Sequence, residues 1–335
     1  MKQRELDTME KSAREASILF MGTPELAAYC LRQLVLASRE EGRGLWKITG
    51  VISQPDKPKG RNLRLQPTPV KLVAEEFGIE CYQPRRARDP EALEWISSKA
   101  PDLIIVVAYG QILPQALLDI PRLGCVNVHT SLLPRYRGAA PIQWAICDDC
   151  PETGVTLMKM DAGLDTGDII ASVTTPICEE DDCCSLHERL AELGADLLVA
   201  TLPDYLAGRI TPVPQPEGEQ LYARKICKED GRLDWCQPVR SLCCRIRAMT
   251  PWPGAFTFLP VGEKKVLLKI WEATGSCETV SEPPGTILKA EGDELHIACA
   301  EGILKVHCLQ REGKNRLTTR QFLSGHRDLL GVRLG

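Results

Sequence analysis

The run Asp102-Leu-Ile-Ile-Val-Val-Ala108 constrains this chain more than any other feature of its sequence. A continuous apolar stretch rich in β-branched residues, with no polar alternation, describes a strand covered on both faces, and such strands belong to mostly parallel sheets sandwiched by helices. Other strands flank it. Ser17 to Gly22 ends in a Gly turn, after which Thr23 and Pro24 supply an N-cap and a first-turn proline for a helix running to about Leu36. Strands follow at Ile48 to Ser53, around Glu80-Cys-Tyr82 and at Val126 to His129, with two more at Gly154 to Asp161 and Asp168 to Thr175. Helical stretches at Val70 to Phe77, Glu91 to Lys99, Ala140 to Cys147 and Leu186 to Ala207 alternate with them. The pattern predicts an α/β, Rossmann-like, mostly parallel twisted sheet over residues 17–208, and in such sheets ligands collect at the carboxyl ends of the strands.

The pattern changes past Gly208. Pro212, Pro214 and Pro216 mark residues 209–220 as a linker, and residues 221–335 carry short β-like runs separated by turn residues, as expected of a small OB-like β-barrel. Residues 1–16 read as a charged extension in which acids and bases balance; organelle transit peptides are poor in acids, so a cytoplasmic location is expected. No apolar run is long enough to cross a bilayer, and no membrane association is expected.

A formal net charge of -4 hides an uneven distribution. From Arg209 onward there are 19 Lys+Arg against 15 Asp+Glu, so the C-terminal part is positive and the part before it negative. That balance suits contact with a phosphate backbone without general nucleic-acid binding. The fifteen cysteines read as reduced thiols acting as small hydrophobes. The one metal-like spacing, Cys147-x-x-Cys150, has only Cys183-Cys184 as a possible second pair, and adjacent cysteines rarely supply two corners of one tetrahedron, so no metal is expected.

Two segments carry chemistry. Asn127-Val-His129 puts an amide and an imidazole on one side of a strand, where an amide NH2 and a ring N–H can both donate to a carbonyl oxygen as it becomes an oxyanion. The other reading makes Asn127 a turn-former and His129 a packed core residue. Met160-Asp-Ala-Gly-Leu-Asp-Thr-Gly-Asp168 threads three carboxylates between glycines, and these acids are either functional or simple turn-formers. No Gly-x-x-x-x-Gly-Lys loop accompanies them, and Gly22-Thr-Pro-Glu lacks the Gly-x-Gly-x-x-Gly spacing of a dinucleotide site.

Taken in order, Phe20-Met-Gly-Thr-Pro24, Asn127 through Gly138, Met160 through Asp168, Leu221-Tyr-Ala-Arg-Lys225, Asp234-Trp235, Arg247 through Pro253 and Gln310-Arg-Glu-Gly-Lys314 resemble the formyltetrahydrofolate-dependent formyltransferases. Among these, the resemblance is to the members that act on methionyl-tRNA. It spans about Ser17 to Gly325. It implies an enzyme that moves the formyl group of 10-formyltetrahydrofolate to methionyl-initiator tRNA, with Asn127, His129 and Asp165 as the catalytic residues. It further implies that Ser131, Leu132, Leu133 and Pro134 bind the folate, joined by Tyr109 and Gly110, without a metal. The segment Gln54 to Pro69 looks like the loop that enters the acceptor stem, with Lys57, Lys59, Arg61 and Arg64 as tRNA contacts, interrupted here by Asn62-Leu63. Residues 221–335 would bind the rest of the tRNA, and the chain is expected to be a monomer. The rival expectations are a formyltransferase for a nucleotide-linked amino sugar, and a non-catalytic tRNA- or folate-binding module.

Overall fold

A computed structural model describes residues 15–40, 45–59 and 64–335; the extension expected over residues 1–16 therefore lies almost wholly outside the described residues. The chain forms two compact units, one made of residues up to Gly138 with Gly154–Thr175 and Glu188–Tyr222, the other of Ala139–Thr153, Pro176–His187 and Ala223–Gly335. Residues 139–153 and 176–187, which the sequence runs without a break through the first domain, thus group with the C-terminal part.

In chain order the strands of the first unit are β1 (Ala16–Gly22), β2 (Trp46–Ile52), β3 (Lys57–Lys59), β4 (Arg64–Gln66), β5 (Cys81–Tyr82), β6 (Leu103–Val107), β7 (Cys125–His129), β8 (Arg137–Gly138), β9 (Glu152–Lys159) and β10 (Ile169–Pro176). Seven of them make one sheet in the order β10-β9-β7-β6-β1-β2-β5. The strands from β5 to β7 are parallel, and β9 returns antiparallel to β7. The run that constrained the sequence, β6, is buried along its whole length at the centre. On one face Leu19, Met21, Ile52, Ile104 and Val106 pack with Ile96 of the helix Pro90–Ser98. Burying side chains of this size contributes roughly 1.5–3 kcal/mol each, so the sheet holds its rim rigidly.

Local signals fix the element ends. The Thr68 hydroxyl accepts Lys71 N–H at 3.3 Å, Pro69 opens the helix Pro69–Phe77, and Gly78 closes it at φ 69°. Two expectations need correction. Pro24 itself stands at the N-cap position of the helix Glu25–Ser38, because the Thr23 hydroxyl donates to the Tyr109 carbonyl at 3.2 Å instead of capping. The polar segment after β2 is not wholly irregular: β3 and β4 pair antiparallel, Lys57 opposite Gln66 and Lys59 opposite Arg64.

After the short β11 (Tyr222–Ala223), the second unit carries β12 (Ala255–Val261), β13 (Lys264–Ser276), β14 (Ile287–Glu291), β15 (Glu294–Ala298), β16 (Ile303–Arg311) and β17 (Leu317–Thr318). The antiparallel order is β12-β13-β16-β15-β14, with β17 on β16. The last residues run beside both edges. Gly331 N–H donates to Ile287 O and Leu334 N–H to Gly285 O, each at 2.9 Å, while Gly335 N–H reaches Phe258 O on β12 at 3.0 Å. The tail thereby covers edges that would otherwise expose unpaired backbone groups and closes a small barrel around Leu268, Ile270, Ile297, Leu304 and Leu309. The helix Val239–Ala248 packs on this core through Leu242 and Ile246.

Candidate active site

Asn127 and His129 alternate with apolar residues on β7, so the pleat sends both side chains to the same face. They are 9% and 6% exposed. Their strand lies between β6 and β9, with Val106 and Met158 opposite Asn127 and Thr156 opposite His129. Among the described residues the Asn127 amide has no protein hydrogen-bond partner, and its capacity is free for a ligand.

His129 is partly committed. Its Nε2 lies 2.9 Å from the Tyr136 carbonyl oxygen. A carbonyl only accepts, so Nε2 carries the hydrogen and Nδ1 is the nitrogen left for chemistry. Nδ1 faces Asp165 Oδ2 at 3.8 Å, beyond hydrogen-bond length. The same Oδ2 accepts Gly138 N–H at 2.8 Å, and among the described residues Oδ1 has no hydrogen-bond donor. The structure therefore brings Asn127, His129 and Asp165 into the same unit, and leaves Nδ1 as the ring nitrogen of His129 that is open to a substrate.

Tyr136 and Asp165 both adopt positive φ, 59° and 53°. Non-glycine residues held there cost roughly 1–3 kcal/mol each and persist only where their surroundings over-determine them. Here the strained carbonyl of Tyr136 is the one that holds His129, and the strained residue 165 bears the carboxylate.

The loop after β7 is pinned by buried hydroxyls. Ser131, wholly buried, donates to Arg135 O at 2.7 Å. Thr156 on β9 donates to Ser131 O at 2.7 Å and accepts Leu133 N–H at 3.2 Å. Leu133 and Pro134 are buried, while Leu132 keeps part of its surface open. Tyr109 is placed differently from a pocket wall: its ring is 1% exposed, in the core with Ile52, Val106 and Leu117. Among the described residues its hydroxyl has no hydrogen-bond partner, and burial pushes its pKa up to about 12. What reaches the turn is its carbonyl, which accepts Gln54 Nε2–H at 2.8 Å, beside exposed Gly110 at φ 82°.

Of the expected tRNA contacts, Lys57 is exposed on β3 and donates to Gln54 Oε1 at 2.9 Å. Lys59 and Arg64 pair through their backbones; Arg61 lies outside the described residues, as do the side chains of Lys59 and Arg64. The hairpin base is clamped by Asp56, which accepts from Lys71 at 2.7 Å and Gln83 at 2.7 Å. Those bonds hold its carboxyl below the usual carboxylate range. Asp161 closes its own turn, accepting Gly163 N–H at 3.0 Å and the Thr166 hydroxyl at 2.7 Å.

Sequence reasoning missed the Tyr136 carbonyl, the Gly138 N–H, Thr156 and Gln215. Backbone partners leave no residue-type signal. Thr156 offered a faint one, a hydroxyl inside an apolar strand. Gln215, whose amide hydrogen-bonds Asp165 O at 2.8 Å, lies in a proline-rich stretch that reads as linker.

The formyl transferase family model matches residues 18–202, and the model for the formyl transferase C-terminal domain matches residues 225–327. Similar proteins named methionyl-tRNA formyltransferase include one from Citrifermentans bemidjiense, 47% identical over 318 residues, covering 95% of this chain and 96% of that protein. The one from Geobacter sulfurreducens is 45% identical over 318 residues, with 95% and 96% covered. Among solved structures, the sugar 3N-formyl transferase WlaRD, in the presence of dTDP and 5-N-formyl-THF, superposes with a TM-score of 0.63 at 18% identity, covering 90% of this chain and 100% of that one. HypX from Aquifex aeolicus in complex with tetrahydrofolic acid gives 0.58 at 19% identity, covering 92% of this chain and 47% of that one. At such identities the structural likeness establishes the fold alone.

Proposed function

The chain belongs to the methionyl-tRNA formyltransferase family, and on that premise we propose that Asn127, His129 and Asp165 carry the transfer of the formyl group of 10-formyltetrahydrofolate to the α-amino group of methionyl-initiator tRNA. The observation that carries the reading is an uncommitted amide on β7, two residues from an imidazole whose free Nδ1 faces a carboxylate at 3.8 Å. Acyl transfer to an amine needs a neutral nitrogen, a polarised carbonyl and an acceptor for a proton. Oδ1 of Asp165 takes one proton from the ammonium, directly or through a water. The freed amine bonds to the formyl carbon while the Asn127 amide and the Nδ1–H of His129, as imidazolium, hold the oxygen as it becomes an oxyanion. As the bond from that carbon to the donor nitrogen breaks, the nitrogen takes the proton held by Asp165, and the second amine proton leaves to solvent. Each oxyanion donor is worth roughly 10²–10³ in rate, and no covalent enzyme intermediate is involved.

In this reading the backbone and side chains of Ser131 to Pro134, with the Tyr109-Gly110 turn, receive the folate. Lys57, Lys59, Arg61 and Arg64 on and around the β3–β4 hairpin meet the acceptor stem, where bases track phosphates and reach an end base. Exposure of Lys57 and the clamp at Asp56 support that role. Residues 17–208 form the catalytic domain, 209–220 the linker and 221–335 the tRNA-binding domain of a cytoplasmic monomer. Among the described residues no helix is long and apolar enough to cross a membrane.

The test is incubation with formyl-labelled donor and charged initiator tRNA, followed by hydrolysis and identification of labelled formylmethionine. The rate should fall steeply as salt rises from low to moderate concentration, because phosphate contacts are screened. Absence of label on methionine would refute the reading, and a salt-independent rate would refute the phosphate contacts.

A further inference from the structure

One side chain outside the catalytic trio touches both loops that build it. Gln215 is half-buried in the stretch read as linker, and each half of its amide is fully used. Nε2 donates to Asp165 O at 2.8 Å and to Gly167 O at 2.9 Å. Oε1 accepts from Arg137 Nε at 3.1 Å and from its terminal nitrogen at 2.5 Å. Two hydrogens and two lone pairs are all that such an amide offers.

The partners matter more than their number. Asp165 is the strained carboxylate-bearing residue. Arg137 sits between Tyr136, whose carbonyl holds His129 Nε2, and Gly138, whose N–H holds Asp165 Oδ2. The segment that delivers Gln215 is itself fixed. Val213 exchanges two backbone bonds with Ile169, at 2.7 and 2.9 Å, and Leu221 O takes Arg137 N–H at 3.0 Å. Arg137 also donates to Gln220 Oε1 at 3.2 Å.

We propose that Gln215 is a positioning residue for formyl transfer, its amide fixing the left-handed backbone at Asp165 against the Tyr136–Gly138 segment and so setting the separation of the Asp165 carboxylate from His129 Nδ1. Gln215 touches no reacting atom in this scheme and acts through Asp165. The proposal rests on the catalytic reading of Asp165.

Two substitutions separate the arms of the amide. Gln215→Met keeps the length of the side chain and removes all four bonds. Gln215→Glu keeps an acceptor for Arg137 and turns the Asp165 and Gly167 carbonyls toward a carboxylate that cannot donate. Both should lower the single-turnover rate of methionyl-tRNA formylation on the order of 10- to 100-fold at saturating donor. The KM for 10-formyltetrahydrofolate should change little. The decisive arm is a cycle with Asp165→Asn. If Gln215 works through Asp165, Gln215→Met should cost almost nothing further in that background, since coupled residues are non-additive. An equal cost in both backgrounds would overturn the proposal, as would a Gln215→Met protein that keeps its rate. A lowered melting temperature with normal turnover per folded molecule would make the role merely structural and would equally overturn it. A near-normal rate for Asp165→Asn alone would instead remove the catalytic reading beneath it.

Discussion

Gly167 turns the geometry of the carboxylate loop into a number. A Cβ built on it would stand 1.8 Å from the Lys159 carbonyl oxygen, where ordinary contact begins at 3.4 Å. That oxygen belongs to backbone held by Lys159 N–H donating to Asp168 O at 2.8 Å. It cannot turn aside as a side chain would. In Gly167→Ala the turn must retreat by more than an ångström, and Asp165, two residues earlier, moves with it, while His129 stays on β7 in the buried sheet. A displacement of about 1 Å at a catalytic group costs on the order of 10²-fold in rate, or about 2.7 kcal/mol of barrier. Gly163→Ala supplies the control. Its Cβ would meet the Thr166 hydroxyl at 1.9 Å, a side-chain atom that can rotate away at the loss of its bond to Asp161, with the Thr166 Cβ and Cγ2 next at 3.1 and 3.2 Å. Single-turnover formylation of methionyl-tRNA at saturating donor, with thermal denaturation alongside, separates the two. Gly167→Ala should fall about a hundredfold, whereas Gly163→Ala should lose no more than a few-fold. A folded Gly167→Ala protein within about threefold of the parent would refute the claim that the placement of Asp165 limits the chemistry.

Tyr109→Phe removes a buried hydroxyl that has no partner among the described residues, and leaving such a group unsatisfied costs about 1–3 kcal/mol. The variant should be more stable in urea with an unchanged donor KM; a destabilised protein or a raised KM would mean that the hydroxyl binds something. Burial pushes the thiols of Cys30, Cys125, Cys147 and Cys183 up to about 12 from 9. Below pH 9 both states keep these protons, and between 9 and 12 the unfolded chain sheds them first, so stability should fall as pH rises through that window. A urea midpoint that stays flat from pH 8 to 10.5 would contradict this. Arg61→Ala should weaken use of tRNA and leave slow hydrolysis of the folate donor intact; equal loss of both would make the loop structural.

The sheet was legible because β6 carries its burial in its composition, and Gly22 marks the turn that ends β1. The pairing of Asn127 with His129 followed from the period of a strand. The hairpin at β3–β4 was hidden by Pro58, the charges around it and the shortness of its strands, three residues each, over which alternation carries little signal. Tyr109 read as a pocket residue from its neighbours in sequence, yet the chain turns its ring into the core and offers only its carbonyl. Most of the support beneath the site was illegible for one reason. The Tyr136 carbonyl, the Gly138 N–H and the Asp165 backbone act through main-chain atoms, and the amide that gathers them comes from residue 215, far along the chain.

The proposed chemistry hinges on the Asn127 amide of β7. Purified Asn127→Ala protein, shown to be folded and to bind the donor, should transfer the formyl group to methionyl-tRNA on the order of 10²-fold more slowly than the parent in a single turnover, because it lacks one donor to the oxyanion. A rate close to that of the parent would mean that the oxyanion is held elsewhere, and the assignment of this site would be wrong.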